Sequence, residues 1–184
     1  MTTPATDSIR VLQTDRLILR QLSAERTDDA EFILELVNEP GWIQNIGDRG
    51  VKNLDDARRY IQDGPVASYQ KLGFGLLLVA LKDGEVPVGM CGLLKRDSLD
   101  NVDIGFALLR RHESKGYAYE AAAAVMDYGW NVLGLQRIVA ITAPENPSSI
   151  RLLGKLGFRF DRMLPIPGYE EESRLFICDR AEAT

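Results

Sequence analysis

Cysteine, histidine and long apolar runs are all scarce in this chain of 184 residues. Its two cysteines, Cys91 and Cys178, each sit inside an apolar run, VGMCGLL and RLFICD. That setting predicts buried strand thiols, and two unpaired thiols suit a reducing compartment. Neither cysteine belongs to a metal-ligand spacing, and with His112 as the one histidine a His-based metal site is not expected. The longest apolar run, FGLLLVAL, falls far short of a membrane span. The N-terminal MTTPATDSIRVLQTD lacks the apolar core of a signal peptide, so the expectation is a cytoplasmic protein with no membrane partner. A net charge of −5 argues against a bulk nucleic-acid binder, which carries a basic surface. Nucleotide-binding motifs are missing too. GFGLLL fails the G-x-G-x-x-G spacing, and no G-x-x-x-x-G-K-[ST] occurs. A hydrolase is disfavoured by the lack of G-x-S-x-G.

What is present is ordinary globular material: 45% apolar and 27% charged residues, without repeats, low-complexity stretches or linkers. The length fits one compact domain over residues 1–184, with the first eight residues expected as a flexible tail. DRLILRQL alternates like a strand. SAERTDDAEFILELVNEPG places Phe32, Ile33, Leu36 and Val37 at helical spacing, with Pro40-Gly41 as its stop. WIQNIGDRG reads as a loop, and NLDDARRYIQDGP as a second helix capped by Asn53. GFGLLLVALK and VPVGMCGLLKR form a hairpin around Asp83-Gly84. VDIGFALL is a third strand in that run, in which Gly105 suggests a bulge or a close backbone approach. A helix over about 116–133, the strand LQRIVAITA, the helix NPSSIRLLGKLG and two final strands complete the chain. The predicted order is βααβββαβαββ, an α+β domain around a mixed, mostly antiparallel sheet of seven strands with about four helices.

The stretch KGYAYE lies where the strand VDIGFALL gives way to the longest helix. A tight turn would explain its small residues. So would a phosphate cradle, because a helix N-terminus presents unpaired amides and partial positive charge. Gly116 and Ala118 let the backbone approach a ligand closely, and Lys115, Arg110 and Arg111 offer cations nearby.

The string VDIGFALLRRHESKGYAYEAAAAVMDYGW…LGLQRIVAITAPENPSSIRLLGKLGFRF resembles the GNAT superfamily of acetyl-CoA-dependent N-acetyltransferases. Within it, the D/E-I-G, KGYAxEA and ENxxSIRLLxKLGF motifs are similar to the ribosomal-protein N-terminal acetyltransferase branch, the RimJ/RimL type. The resemblance spans about 14–179. It implies acetyl-CoA as co-substrate, no metal, an amine acceptor, and a monomer or homodimer. The acceptor is either a protein N-terminus or a small amine such as a polyamine, amino acid or aminoglycoside.

The same resemblance assigns the phosphate loop to Glu113, Ser114, Lys115, Gly116, Tyr117 and Ala118. Two of these depart from the family: Glu113 stands at a Gln/Arg position, and Ser114 where this branch commonly has glycine. Phe106, Ala107 and Leu108 are implied to offer main-chain contacts to pantetheine, and an amide there to stabilise an oxyanion. Asp103 is implied as the base that takes the amine's proton, through water because Asp is shorter than the more usual Glu. It also reads as a solvated strand-edge carboxylate. Asn146 resembles the asparagine beside the pantetheine arm, and Ser149 the hydroxyl that protonates the leaving thiolate. Both are equally good helix-start residues. Arg151 and Lys155, four apart on one helix face, are candidates for coenzyme A phosphates or for a solvated face. Trp42, Ile43 and Tyr169 are candidates for an amine pocket, with Glu171 and Glu172 as alternative bases or readers of a cationic acceptor. Trp42 reads as well as a packing residue, and His112 as a surface residue. A non-catalytic acyl-CoA-binding or sensing module is the alternative function, kept open by Glu113 and the short Asp103.

Overall fold

The computed structural model describes residues 10–181. The proposed N-terminal tail lies outside them. Eight strands form one sheet in the order β1-β2-β3-β4-β5-β6-β8-β7. They are β1 (Arg10–Gln13), β2 (Leu17–Arg20), β3 (Leu76–Leu81), β4 (Pro87–Leu94), β5 (Asp103–Leu108), β6 (Arg137–Thr142), β7 (Arg159–Leu164) and β8 (Ser173–Asp179). The helices are α1 (Thr27–Leu36), α2 (Pro40–Asn45), α3 (Leu54–Ile61), α4 (Ala67–Leu72), α5 (Tyr117–Asn131) and α6 (Pro147–Lys155). Every strand contact is antiparallel except β5 with β6.

The α+β class and the element order agree with the sequence reading, with three corrections. The sheet has eight strands and not seven, because Arg10–Gln13 pairs back onto β2 across a short turn. Pro40 does not stop a helix; α1 ends at Leu36 and Pro40 opens α2, taking the first helical position, where its missing N–H costs nothing. The second predicted helix continues past Ile61 through a π turn over Gln62–Val66 into α4, which ends at Gly73 in the left-handed conformation.

Both faces of the sheet are covered, which explains why all four residues of β2 are buried although their pattern alternates. On one face α5 packs Ala121, Ala122, Val125 and Met126 against Leu17, Leu19, Val79 and Leu93. On the other, α1 and α3 bring Phe32, Ile33, Leu36, Ala57 and Ile61 onto Leu78, Ala80 and Met90. A buried ion pair locks α1 to β2: Arg20 donates to both oxygens of Asp29, at 2.6 and 2.9 Å. Asp29 also accepts from the Ser23 amide at 2.9 Å, so the buried charge is fully partnered.

The sheet opens at one place. β5 runs beside β4 along its whole length, Asp103↔Leu94 to Leu108↔Gly89, without a bulge. On its other side it meets β6 only at Asp103↔Val139. The Val139 amide donates to Val102 O at 3.0 Å, and beyond that bond the strands separate. β6 instead pairs with β8 from Arg137 to Thr142. Gly105 therefore marks close packing and no bulge: a Cβ there would lie 2.9 Å from Leu94 Cδ1.

Candidate active site

The gap between β5 and β6 opens into a cleft of about 1790 Å³. Its floor is Ile104–Leu108, and its far wall is Ile141–Ala143 and the start of α6. One end reaches the turn into α5, and the other reaches α2, α3 and the loop between them.

At the first end the chain turns through Ser114 (φ 60°) and Gly116 (φ 83°) before α5 begins. A non-glycine residue in the left-handed region costs roughly 1–2 kcal/mol, which accounts for a preference for glycine at position 114. Among the described residues no side chain caps α5. The first amides of the helix are thus left for a ligand, and Gly116, Tyr117, Ala118 and Tyr119 all line the cleft. Glu113 and Ser114 line it as well and are exposed, while the Lys115 side chain does not border it. A clamp that sequence reasoning missed holds this turn. Arg16 donates to Lys115 O at 3.0 Å and to Glu120 Oε2 at 2.7 Å, and lies over the Tyr117 ring at 4.7 Å. Thr14 Oγ1 donates to Glu120 Oε1 at 2.5 Å. Arg110, Arg151 and Lys155 add exposed cations to the cleft wall.

Asn146 caps α6 by accepting from the Ser149 amide at 3.2 Å, as its sequence context predicts. Both residues line the cleft, and the Ser149 hydroxyl has no hydrogen-bond partner among the described residues. Phe106, Ala107 and Leu108 line it from β5.

Asp103 is not a solvated edge carboxylate. It is 1% exposed, at the point where β5 and β6 part. Its Oδ2 accepts from Arg96 Nε at 3.1 Å, whereas Oδ1 is buried with no partner. Burial pushes its carboxyl above the ordinary aspartate range, and the Arg96 guanidinium opposes that shift without cancelling it. Tyr169 also lies close enough to Arg96 to favour its charge. Burial likewise raises the Tyr60 phenol, while the positive charges of Arg49 and Arg96 act against the rise. Arg49, Tyr60, Arg96, Asp103 and Tyr169 thus converge on one end of the cleft from five separate chain segments.

Trp42 is buried among Leu36, Val37 and Val51 and also borders this end, so the packing and pocket readings both hold. Ile43 is exposed and does not border it. Glu171 and Glu172 are exposed on the β7–β8 turn and do not line the cleft. His112 is half-buried outside it, its pKa lowered by burial and by the charges of Arg111 and Lys115. Cys91 is buried and Cys178 partly so. Among the described residues no helix is long and apolar enough to cross a membrane.

Residues 16–159 match the family described as "Acetyltransferase (GNAT) domain". The Bacillus subtilis protein YkkB, which is uncharacterized, is 31% identical, with 88% of this chain and 95% of that protein covered. An uncharacterized N-acetyltransferase of Bacillus licheniformis, p20, is 31% identical over 85% of this chain and 86% of its own. An acetyltransferase structure from Agrobacterium tumefaciens str. C58 superimposes with a TM-score of 0.78 at 24% identity, covering 98% of this chain and all of that one.

Proposed function

The chain belongs to the GNAT acetyltransferase family, and from that premise we propose that it moves the acetyl group of acetyl-CoA directly onto a primary amine while both are bound. The observation that carries this reading is the separation of β5 from β6 immediately after Asp103. A strand with one unpaired edge has free amides and carbonyls for an extended ligand arm. Here that edge runs from a buried carboxylate to an uncapped helix start, which suits a thioester at one end and a pyrophosphate at the other.

Bound acetyl-CoA supplies an electrophilic carbonyl and a thiolate leaving group. The residues of this chain do the rest. The amides of Gly116, Tyr117 and Ala118 hold the pyrophosphate, with Arg151 and Lys155 as cations beside it. The exposed Glu113 contributes its main chain and keeps its carboxylate in water. Phe106, Ala107 and Leu108 hydrogen-bond the pantetheine arm through their backbone. Asp103 Oδ1, directly or through one water, takes the proton that the attacking amine must lose. Ser149 gives a proton to the departing thiolate, and Asn146 fixes Ser149 through the cap bond.

A binding-only sensor of acyl-CoA needs the gap but not a buried acid with an unpartnered oxygen where the strands part, so Asp103 favours transfer. Calorimetry with coenzyme A and acetyl-CoA, followed by thiol release against a panel of amines, tests the proposal. Binding with amine-dependent thiol release is the expected result. No association with either form would remove its basis, and association without turnover on any amine would favour the sensor.

A further inference from the structure

The acceptor end of the cleft carries a donor and acceptor inventory that does not balance among the described residues. Asp103 Oδ1 is a buried acceptor with nothing donating to it. Trp42 is 7% exposed and lines the same cleft, and its Nε1 is a buried donor with nothing to accept it. Arg49, also on the lining, has no carboxylate partner among the described residues. Buried polar groups are ordinarily paired, so the two unmatched buried atoms, Asp103 Oδ1 and Trp42 Nε1, mark places for ligand atoms, and Arg49 adds an exposed cation on the same lining.

Their signs say what those atoms are. A lone buried acceptor suits an amine donor. A lone indole N–H and a lone guanidinium suit oxygen acceptors, and guanidinium prefers an oxyanion. Arg96 pairs with Asp103 and Arg59 with Asp56, which leaves two cations at this end of the lining, Arg49 and Lys95, without an ion pair among the described residues. Asp63 and Glu39 are the lining acids at this end without an ion pair among the described residues, and Arg111, on which the charge of Glu39 acts, is paired with Glu35. Glu171 and Glu172, the acids that would have drawn a polycation, face solvent away from the cleft.

We propose that the acceptor is an amine carrying an oxyanion in the same small molecule, of the α-amino acid type: its nitrogen goes to Asp103 and its carboxylate to Arg49 and Trp42. The proposal rests on the acetyl-transfer reading above and narrows it. Tyr60, on which the charges of Arg49 and Arg96 both act, and Tyr169 add phenols to this lining, and Ile46, Val51 and Pro65 offer apolar surface for a side chain.

Two arms test it. In turnover, an aromatic α-amino acid, its primary amide, 2-aminoethyl phosphate and spermidine are compared by kcat/KM. The amino acid is expected to exceed its amide and spermidine by about tenfold or more, the scale of one charge-assisted hydrogen bond. 2-Aminoethyl phosphate in first place would assign the oxyanion pole to phosphate and overturn the carboxylate assignment. In binding, N-acetyl-phenylalanine and N-acetyl-phenylalaninamide are titrated into the protein saturated with coenzyme A, an arm that needs no catalysis. The acid is expected to bind about tenfold tighter, and Arg49→Gln to erase that difference. Equal binding, tighter binding of the amide, binding of neither probe, or a preference for spermidine would each overturn the inference. Turnover of neutral amines without an acid preference would sink it and leave acetyl transfer standing. An acid preference in binding without turnover of any amine would do the reverse.

Discussion

Asp103 has two demands on it that pull apart. To accept a proton it must be ionised, yet burial favours its neutral form. Arg96 is the compromise, a guanidinium at 3.1 Å that holds Oδ2 and leaves the buried Oδ1 unpartnered. Removing the carboxylate by Asp103→Asn is expected to lower kcat/KM by about 10²- to 10⁴-fold, the usual share of a general base. Activity should rise with pH as Asp103 ionises, with its acidic limb above the ordinary aspartate value of about 3.9. Arg96→Gln removes the cation that opposes burial and should move that limb to higher pH. A purely structural Arg96 would lower the rate and leave the limb where it is, and pH–rate profiles of the two proteins decide between these outcomes. The linkage has the opposite sign for the fold. A carboxyl whose folded pKa is raised contributes its stability below the unfolded pKa and loses it as pH rises through the folded one. The charged form that chemistry needs is thus the form the fold holds at a cost.

Strands β4 and β5 set the shape of the gap, and glycine sets how closely they lie. A Cβ on Gly89 would fall 2.3 Å from Ala107 O and 3.0 Å from Leu108 Cα. Those are backbone atoms of the floor of the cleft, which cannot rotate away as a side chain can. Gly89→Ala is expected to destabilise the protein by about 1–3 kcal/mol and to raise the KM for acetyl-CoA, because β5 must shift towards the gap. Gly154 in α6 is the contrast: nothing lies within 4 Å of its would-be Cβ. Gly154→Ala should stabilise by about 0.5–1 kcal/mol through helix propensity. Urea titrations of both variants give the two signs side by side. At the other end of the gap, the clamp from the β1–β2 turn to Glu120 works in the same way on the entry to α5. Burial works against the Glu120 charge, but the hydrogen bonds from Thr14 and Arg16 outweigh it and hold its pKa below the usual range.

Over the whole molecule the charge is −5, yet the phosphate end of the cleft presents Arg110, Arg151 and Lys155. Local cations therefore have to attract a polyanion against a repulsive background. These side chains are exposed, so salt screens them readily. The Kd for coenzyme A is expected to rise severalfold from low to high ionic strength, and the double substitution Arg151→Gln with Lys155→Gln should raise it at low salt and flatten the salt dependence. An unchanged slope in calorimetry would place the phosphates elsewhere.

Much of the local design was legible without coordinates. Asn146 followed by Pro147 announces a helix start, and it is one. Gly116 announces the turn into α5, and it sits at φ 83°. The apolar spacing of α1 points to its buried face. Such features depend on neighbours a few residues away, whose backbone preferences and side-chain reach are written in the chain itself. What only the tertiary structure decided was the electrostatics. Asp103 looked as much like a solvated acid as a catalyst until β4, β6 and Arg96 closed around it. Arg49, Tyr60 and Arg96 carried no motif at all, and Glu171 and Glu172 looked better placed than they are. Burial and charge pairing depend on what packs opposite, across tens of residues of chain, and no local pattern encodes that distance.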